Sequence, residues 1–395
     1  MSEQVAYVST YLPQRCGIAT YTYHLRQGVQ KAKRDALDDP VVVIKDKDTV
    51  YPNDPFSNWA IEKENRAAYA CVAEKLNQSS VKVVSLQHEF GIFGGNAGAY
   101  ILDFVRALKK PLVTTFHTVF KMPQEPYASI QRELAQRSAR IVVMNHKAIS
   151  YLKNSFHIPE DKIVFIPHGT PTPDLKKRNP FREQVGWTDR KVIMTFGFLS
   201  RNKGIEAVLR ALPEVIKKVP NALYVIIGQT HPNVKRQEGE TYRNELKTFI
   251  DQHQLQNHVQ MIDAFMTEDD LVHYITACDL YITPYPGMDQ ITSGTLAYAI
   301  GLGRPILTTP YRYAQDLLKD NQELFVAYHD QAGWIEKIDT LLADDRLRAS
   351  YQAKMAQIGL PMSWPQVGKK YRQVFLEAIQ NVLLSGVEPI AKTQN

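Results

Sequence analysis

Short apolar runs alternate with amphipathic, helix-length segments along almost the whole chain. Runs rich in Val, Ile and Leu fall at Val5–Ser9, Val41–Ile44, Val81–Gln87, Leu112–Phe116, Arg140–Met144 and Ile163–Ile166. Between them, Thr20–Lys33, Ile61–Asn77 and Ala99–Leu108 repeat their apolar positions with a helical period. Near-continuous apolar strands separated by helices predict a parallel sheet covered on both faces.

The alternation pauses at PHGTPTPDLKKRNPF, Pro167–Phe181, whose prolines and charges predict a linker. It then restarts, with strands expected at Val192–Phe198, Ala222–Gly228, Val259–Ile262, Leu280–Thr283, Pro305–Thr308 and Glu323–Val326. Helices are expected at Lys203–Lys218, Tyr242–His253, Thr267–Ala277, Thr295–Leu302, Tyr313–Leu318, Gln331–Asp344, Arg346–Ile358 and Trp364–Leu384. The polar tail from Ser385 is expected to fray. Two α/β domains follow, residues 1–172 and 173–362. Open parallel sheets bind ligands at the carboxyl ends of their strands, so the cleft between two such sheets is the expected site.

Composition narrows the classes. A chain of 395 residues, 44% hydrophobic and 22% charged, can fill two ordinary cores. With 20 Gly and 22 Pro it is neither collagen-like nor low-complexity. No apolar run approaches the length of a membrane span, and MSEQVAYVSTYLPQ reads as a first strand rather than a secretory signal. Cys16, Cys71 and Cys278 stand far apart and show no metal-ligand spacing, which predicts a reduced, cytoplasmic setting. The net charge of +6 is spread over scattered basic pairs. That argues against nucleic acid as a partner and leaves a weak bias toward anionic ligands, with weak peripheral membrane contact included.

Five segments just after strands carry candidate chemistry. In YLPQRCGIATYTYHL, Gly17 sits in a strand-to-helix turn that aims backbone N–H groups at an anion, without the GxGxxG fingerprint. QHEFGIFGG offers His88 and Glu89 for acid–base work or sugar hydroxyls, beside a loop with Gly91, Gly94 and Gly95. TTFHTV puts His117 at the end of the neighbouring strand, so both histidines are expected to face one crevice. FGFLSRNKGIEAVL places Arg201 and Lys203 at a strand-to-helix turn after Gly197, where two cations and a helix N-terminus would make a phosphate clamp. In PYPGMDQITSGTLAYAIGLGRPIL, Ser293 is an expected N-cap, and the N–H groups of Gly294 and Thr295 would form a second anion site.

These segments, in this order, resemble the retaining glycosyltransferases of family four (glycosyl transferases group 1). The resemblance covers nearly the whole chain. It implies the GT-B fold: two Rossmann-like domains facing each other across a cleft, the acceptor on the first and a nucleotide-sugar on the second. It also implies that residues 363–395 form a helix crossing back to the first domain, plus the tail. The donor would be a UDP-, GDP- or ADP-hexose and the acceptor a carbohydrate or other hydroxyl, with no cofactor and no metal.

By resemblance, His117, Arg201, Lys203 and Gln290 are the catalytic set. Gly17, Gly197, Ser293, Gly294, Thr295 and Tyr298 would bind the donor, and His88, Glu89 and Gly91 the acceptor. Two positions depart from the family pattern. Its clamp arginine aligns with Phe198, which leaves Arg201 to replace it. Its paired glutamates align with Gln290 and Tyr298. A tyrosine cannot accept a ribose diol as a carboxylate does, so weak dependence on the ribose hydroxyls is expected. Loss of that carboxylate also keeps open a phosphorylase using inorganic phosphate, or a sugar- or nucleotide-binding protein without catalysis.

Overall fold

The computed structural model of the chain describes residues 3–33, 38–47, 49 and 59–385. Its contacts divide the chain into two compact units, Met1–Gly169 with Trp364–Asn395, and Thr170–Ser363.

Among the described residues the first unit has seven parallel strands: β1 Val5–Ser9, β2 Val41–Lys45, β3 Ala60–Glu62, β4 Val83–His88, β5 Leu112–Phe116, β6 Arg140–Val143 and β7 Ile163–Phe165. Their order across the sheet is β3-β2-β1-β4-β5-β6-β7. Every residue of β1, β4 and β5 is buried, polar ones included, as expected of central parallel strands covered on both faces. The last helix, Trp364–Ser385, lies along helix Gly17–Ala32 within this unit and brings Val367, Tyr371 and Phe375 into a core with Tyr7, Tyr21 and Leu25.

The second unit has five parallel strands among the described residues: β8 Lys191–Phe196, β9 Ala222–Ile227, β10 Val259–Ile262, β11 Leu280–Thr283 and β12 Ile306–Thr308, in the order β10-β9-β8-β11-β12. Along β8, Ile193 joins one core while Val192 and Met194 join the other, so the two-residue pleat buries both faces. Helix Ile205–Lys218 lays Ile205, Val208, Leu209, Leu212 and Val215 on the first of these cores. Each such side chain contributes about 1.5–3 kcal/mol on burial.

Four expectations need correction. The helix expected from Ile61 begins at Arg66, because Ala60–Glu62 pairs with Val43–Lys45 and adds an edge strand. Three residues are too few to show a period. The second part of the Pro-rich linker is helical, with a 3-10 turn at Leu175–Lys177 and a helix at Arg178–Gln184. Pro180 is tolerated there because the first turn has no intrahelical acceptor for its missing N–H. Arg178 and Arg182, one turn apart, both pair with Asp279. Glu323–Val326 forms no strand; a 3-10 turn, Gln322–Leu324, leads to a single bridge between Thr308 and Phe325. The fourth concerns His88 and His117 and is described below. The tail after Ser385 lies outside the described residues.

Candidate functional site

In each sheet the strand order reverses beside the first strand of the unit, β1 between β2 and β4, and β8 between β9 and β11. Loops leaving adjacent strands diverge at such a point and open a crevice at the carboxyl ends. The loops after β8 and β11 carry Gly197–Lys203 and Pro284–Thr295. Those after β1 and β4 carry Tyr11–Gly17 and Glu89–Gly95.

In the second unit the two loops meet. Lys203 Nζ donates a 3.0 Å hydrogen bond to Tyr285 Oη and lies 4.4 Å from that ring's centre. Tyr285 Oη in turn shares a 2.6 Å hydrogen bond with Thr295 Oγ1, which lies 3.1 Å from Ser293 Oγ. Ser293 caps helix Gly294–Gly301, accepting from the Leu296 N–H, and the first turn holds no acidic residue. The Gly294 and Thr295 amides precede the intrahelical bonds and carry the positive end of the helix dipole. Gly197 has φ +127°, and a Cβ there would stand 3.3 Å from both Lys203 Nζ and Thr295 Cγ2, so only glycine lets the backbone line this cradle. Gly204, at φ +60°, would put a Cβ 2.0 Å from the Pro284 carbonyl oxygen. Its absence lets the Lys203 turn seat on the end of β11.

Three sequence candidates of this unit are placed otherwise. Arg201 makes two 2.7 Å hydrogen bonds to the carboxylate of Glu245 and lies over the Tyr242 ring, exposed. Gln290 is exposed, with Nε2 donating to the Thr292 carbonyl at 2.7 Å. Tyr298 buries its ring in the core, and its hydroxyl donates to Glu268 Oε2 at 3.0 Å.

In the first unit, Gly17 opens helix Gly17–Ala32, and a Cβ on it would meet nothing within 4 Å. Packing therefore does not demand a glycine there. His117 follows β5. Its Nε2 lies 3.1 Å from Gln87 Oε1, while Gln87 Nε2 donates to Ser85 Oγ and Thr115 Oγ1. That network assigns the proton to His117 Nε2 and leaves Nδ1 an acceptor. Around it stand Tyr21, 4.9 Å away and edge-on, and Tyr371, whose hydroxyl lies 3.0 Å from those of Tyr21 and Thr115. His168 and Trp364 also pack edge-on to Tyr21. Burial, reinforced by His168 and His88, pushes the His117 pKa down to about 3, so the ring is neutral.

His88 does not share this crevice. It stands in register with Phe116, whereas Gln87 is opposite Thr115. The pleat therefore turns His88 to one face and the Gln87–Thr115–His117 group to the other. His88 packs against Phe90, Phe93 and Phe116, neither ring nitrogen has a hydrogen-bond partner, and burial holds its pKa near 3. Glu89 caps the next turn: Oε1 accepts from the Phe90 N–H and Oε2 from the Thr118 hydroxyl, while burial raises its pKa. Gly91 is exposed, and its carbonyl accepts from Lys63.

Tyr285, Gln87, Tyr21, Tyr371 and His168 escaped the sequence reading. Tyr285 and Gln87 lay within quoted strand-end motifs, where a simple search for polar residues at strand ends finds them. His168 was absorbed into the supposed linker. Tyr21 and Tyr371 look like helix-core aromatics and are joined only by the fold.

Each unit is a parallel α/β fold with a crevice at the reversal point of its sheet, where ligands of such folds bind. Comparison with known proteins makes this specific. Residues 16–173 match the model "Glycosyltransferase Family 4" and residues 177–357 match "Glycosyl transferases group 1". The chain belongs to this family, and it is a glycosyltransferase of the GT-B fold. It is 23% identical over 411 aligned residues to alpha-monoglucosyldiacylglycerol synthase of Streptococcus pneumoniae, covering 94% of this chain and 85% of that one. A glycosyltransferase from Rickettsia africae superposes with a TM-score of 0.75 at 15% identity, over 96% of this chain and 100% of the other. Anabaena HepE in complex with UDP gives 0.70 at 14% identity, over 95% and 100%. Among the described residues, no helix is long and apolar enough to cross a membrane.

Proposed function

We propose that the chain moves a hexosyl group from a nucleotide-sugar to a carbohydrate or other hydroxyl acceptor, with retention at the anomeric carbon. The observation carrying this reading is the Gly197–Lys203–Tyr285–Thr295 cradle at the reversal point of the second sheet. As the glycosidic bond to phosphate breaks, positive charge builds on the sugar and negative charge on the leaving oxygen. Lys203 and the Gly294 and Thr295 amides are fixed before the reaction, so they stabilise that oxygen without reorganising. The leaving phosphate takes the acceptor proton on the same face. In the first unit, neutral His117 offers Nδ1 as an acceptor for a sugar hydroxyl. The pneumococcal relative is named for an alpha-glucosyl product. An α-linked sugar nucleotide giving an α-glycoside is retention.

The test is incubation with UDP-, GDP- and ADP-hexoses and an acceptor panel of sugars and lipid alcohols, following nucleotide release and the anomeric proton by NMR. Acceptor-dependent release with an α-linked product is expected. A β-linked product from an α-linked donor would overturn retention. Sugar 1-phosphate formed from a glycoside and inorganic phosphate would make the enzyme a phosphorylase.

A further inference from the structure

We propose that Glu268 is the carboxylate that receives the ribose hydroxyls of the donor nucleotide, with Tyr298 holding it in position. The proposal rests on the donor reading of the Lys203 cradle.

Tyr298 lies three residues after Thr295 on helix Gly294–Gly301, roughly 4.5 Å along the axis from the anion end. Its ring is sunk in the core at 7% exposure, and its hydroxyl meets Glu268 Oε2 at 3.0 Å. The tyrosine thus extends from the helix to a carboxylate on another element. Glu268 opens helix Glu268–Ala277, just after β10. Its neighbours Asp269 and Asp270 are exposed, but Glu268 is half-buried against the phenol.

The surroundings fit one chemistry. Phe265, three residues before Glu268, is 37% exposed, and its ring lies 5.7 Å from that of Phe198, the residue after Gly197. Around the carboxyl ends of β8, β10 and β11 there follow a phosphate cradle, a carboxylate and a partly exposed aromatic pair. A phosphate needs cations and N–H groups, a vicinal diol a two-oxygen acceptor, and a heterocycle a ring face. A nucleoside diphosphate presents all three groups. This reverses the weak ribose dependence expected from Tyr298 alone: the acid is supplied from 30 residues upstream.

Calorimetric titration with UDP, GDP and ADP and their 2′-deoxy forms tests it. In the wild type, the diphosphate that binds tightest should weaken at least tenfold on loss of the 2′-hydroxyl. Glu268→Gln should bind the ribo form at least tenfold more weakly and treat ribo and deoxy forms within about twofold. Tyr298→Phe keeps the ring's packing and should lose only part of the discrimination, at an unchanged melting temperature. Should Glu268→Gln fail to fold, Glu268→Asp, which keeps the charge but shortens the reach, should lose the discrimination instead. Full discrimination retained without Glu268, or a wild type indifferent to the 2′-hydroxyl, overturns the proposal while leaving the donor reading intact. Lys203→Met, by contrast, should weaken both forms equally. A wild type that binds none of the three diphosphates overturns the donor reading, and the Glu268 assignment with it.

Discussion

The two units share one plan, a parallel sheet whose strand order reverses beside its first strand, yet they equip that point differently. The first fills it with neutral, buried groups: His117 on Gln87, ringed by Tyr21, Tyr371 and His168. The second holds a cation, three hydroxyls and a helix N-terminus. Shape and hydrogen-bond direction dominate on one side and charge on the other. Neutral sugar hydroxyls suit the first set of groups and an anionic phosphate the second. Experiments that titrate or delete charge should therefore separate the two units.

Acid gives the largest separation. Burial holds His88 and His117 near pKa 3 and His168 near 4, all in the first unit. Each folded value lies below the unfolded value of about 6.5, so the unfolded chain binds more protons between them. Their stabilising contribution is complete above about pH 6.5 and is lost as pH falls toward 3–4. The ceiling is roughly 1.4 kcal/mol per pH unit for each histidine. In the second unit His231 is lowered by partial burial, Lys203 and Arg236, and Glu240, held near 2 by its hydrogen bond from Thr230, begins to lose its contribution only below its unfolded value of about 4.5. Hydrogen exchange between pH 7 and 5 should show the first unit opening earlier. Equal acid sensitivity in both units would break the comparison.

Next comes the cation. Lys203→Met removes the fixed charge facing the leaving phosphate, and kcat/KM should fall by about 100- to 1000-fold, or 2.7–4 kcal/mol. The melting temperature should hardly change, because the ammonium makes one hydrogen bond, to Tyr285. Near-normal turnover would move the phosphates elsewhere.

His117 tests the neutral side. His117→Ala should lower kcat about 10²-fold. It also leaves Gln87 Oε1 without its 3.1 Å donor, so about 1–3 kcal/mol of stability should go with it. A variant that melts earlier yet keeps kcat when folded would make His117 purely structural.

Strands were legible where apolar residues cluster over a few positions, and β1, β5, β10 and β11 fall where those clusters do. Three-residue β3 was not, and the apolar end of Glu323–Val326 imitated a strand. Lys203 and Ser293 were legible because local turn and cap chemistry fixes their place. Register was not: pairing of His88 with Phe116 sets which face each histidine takes, and no spacing within one strand reveals it. Nor were pairings such as Tyr298 with Glu268, since partners 30 residues apart meet only through the sheet.

Arg201 makes the smallest prediction and the sharpest one. Sequence spacing set it beside Lys203 as a second phosphate cation, and a clamp residue should cost as much as Lys203 when removed. In the fold it points instead to Glu245, with both guanidinium contacts at 2.7 Å and the side chain 54% exposed. Hydrogen bonding to that carboxylate raises its pKa, as expected of a committed ion pair. Reaching the cradle would mean breaking this pair. An exposed pair contributes about 0.2–1 kcal/mol, and packing over the Tyr242 ring adds to the hold on Arg201. The resting geometry favours the ion pair. Arg201→Ala should therefore change kcat/KM by less than about threefold, and Glu245→Gln should behave alike. A loss of 100-fold in Arg201→Ala, with Glu245→Gln unaffected or faster, would show that Glu245 only parks the arginine and that the second unit carries two phosphate cations rather than one.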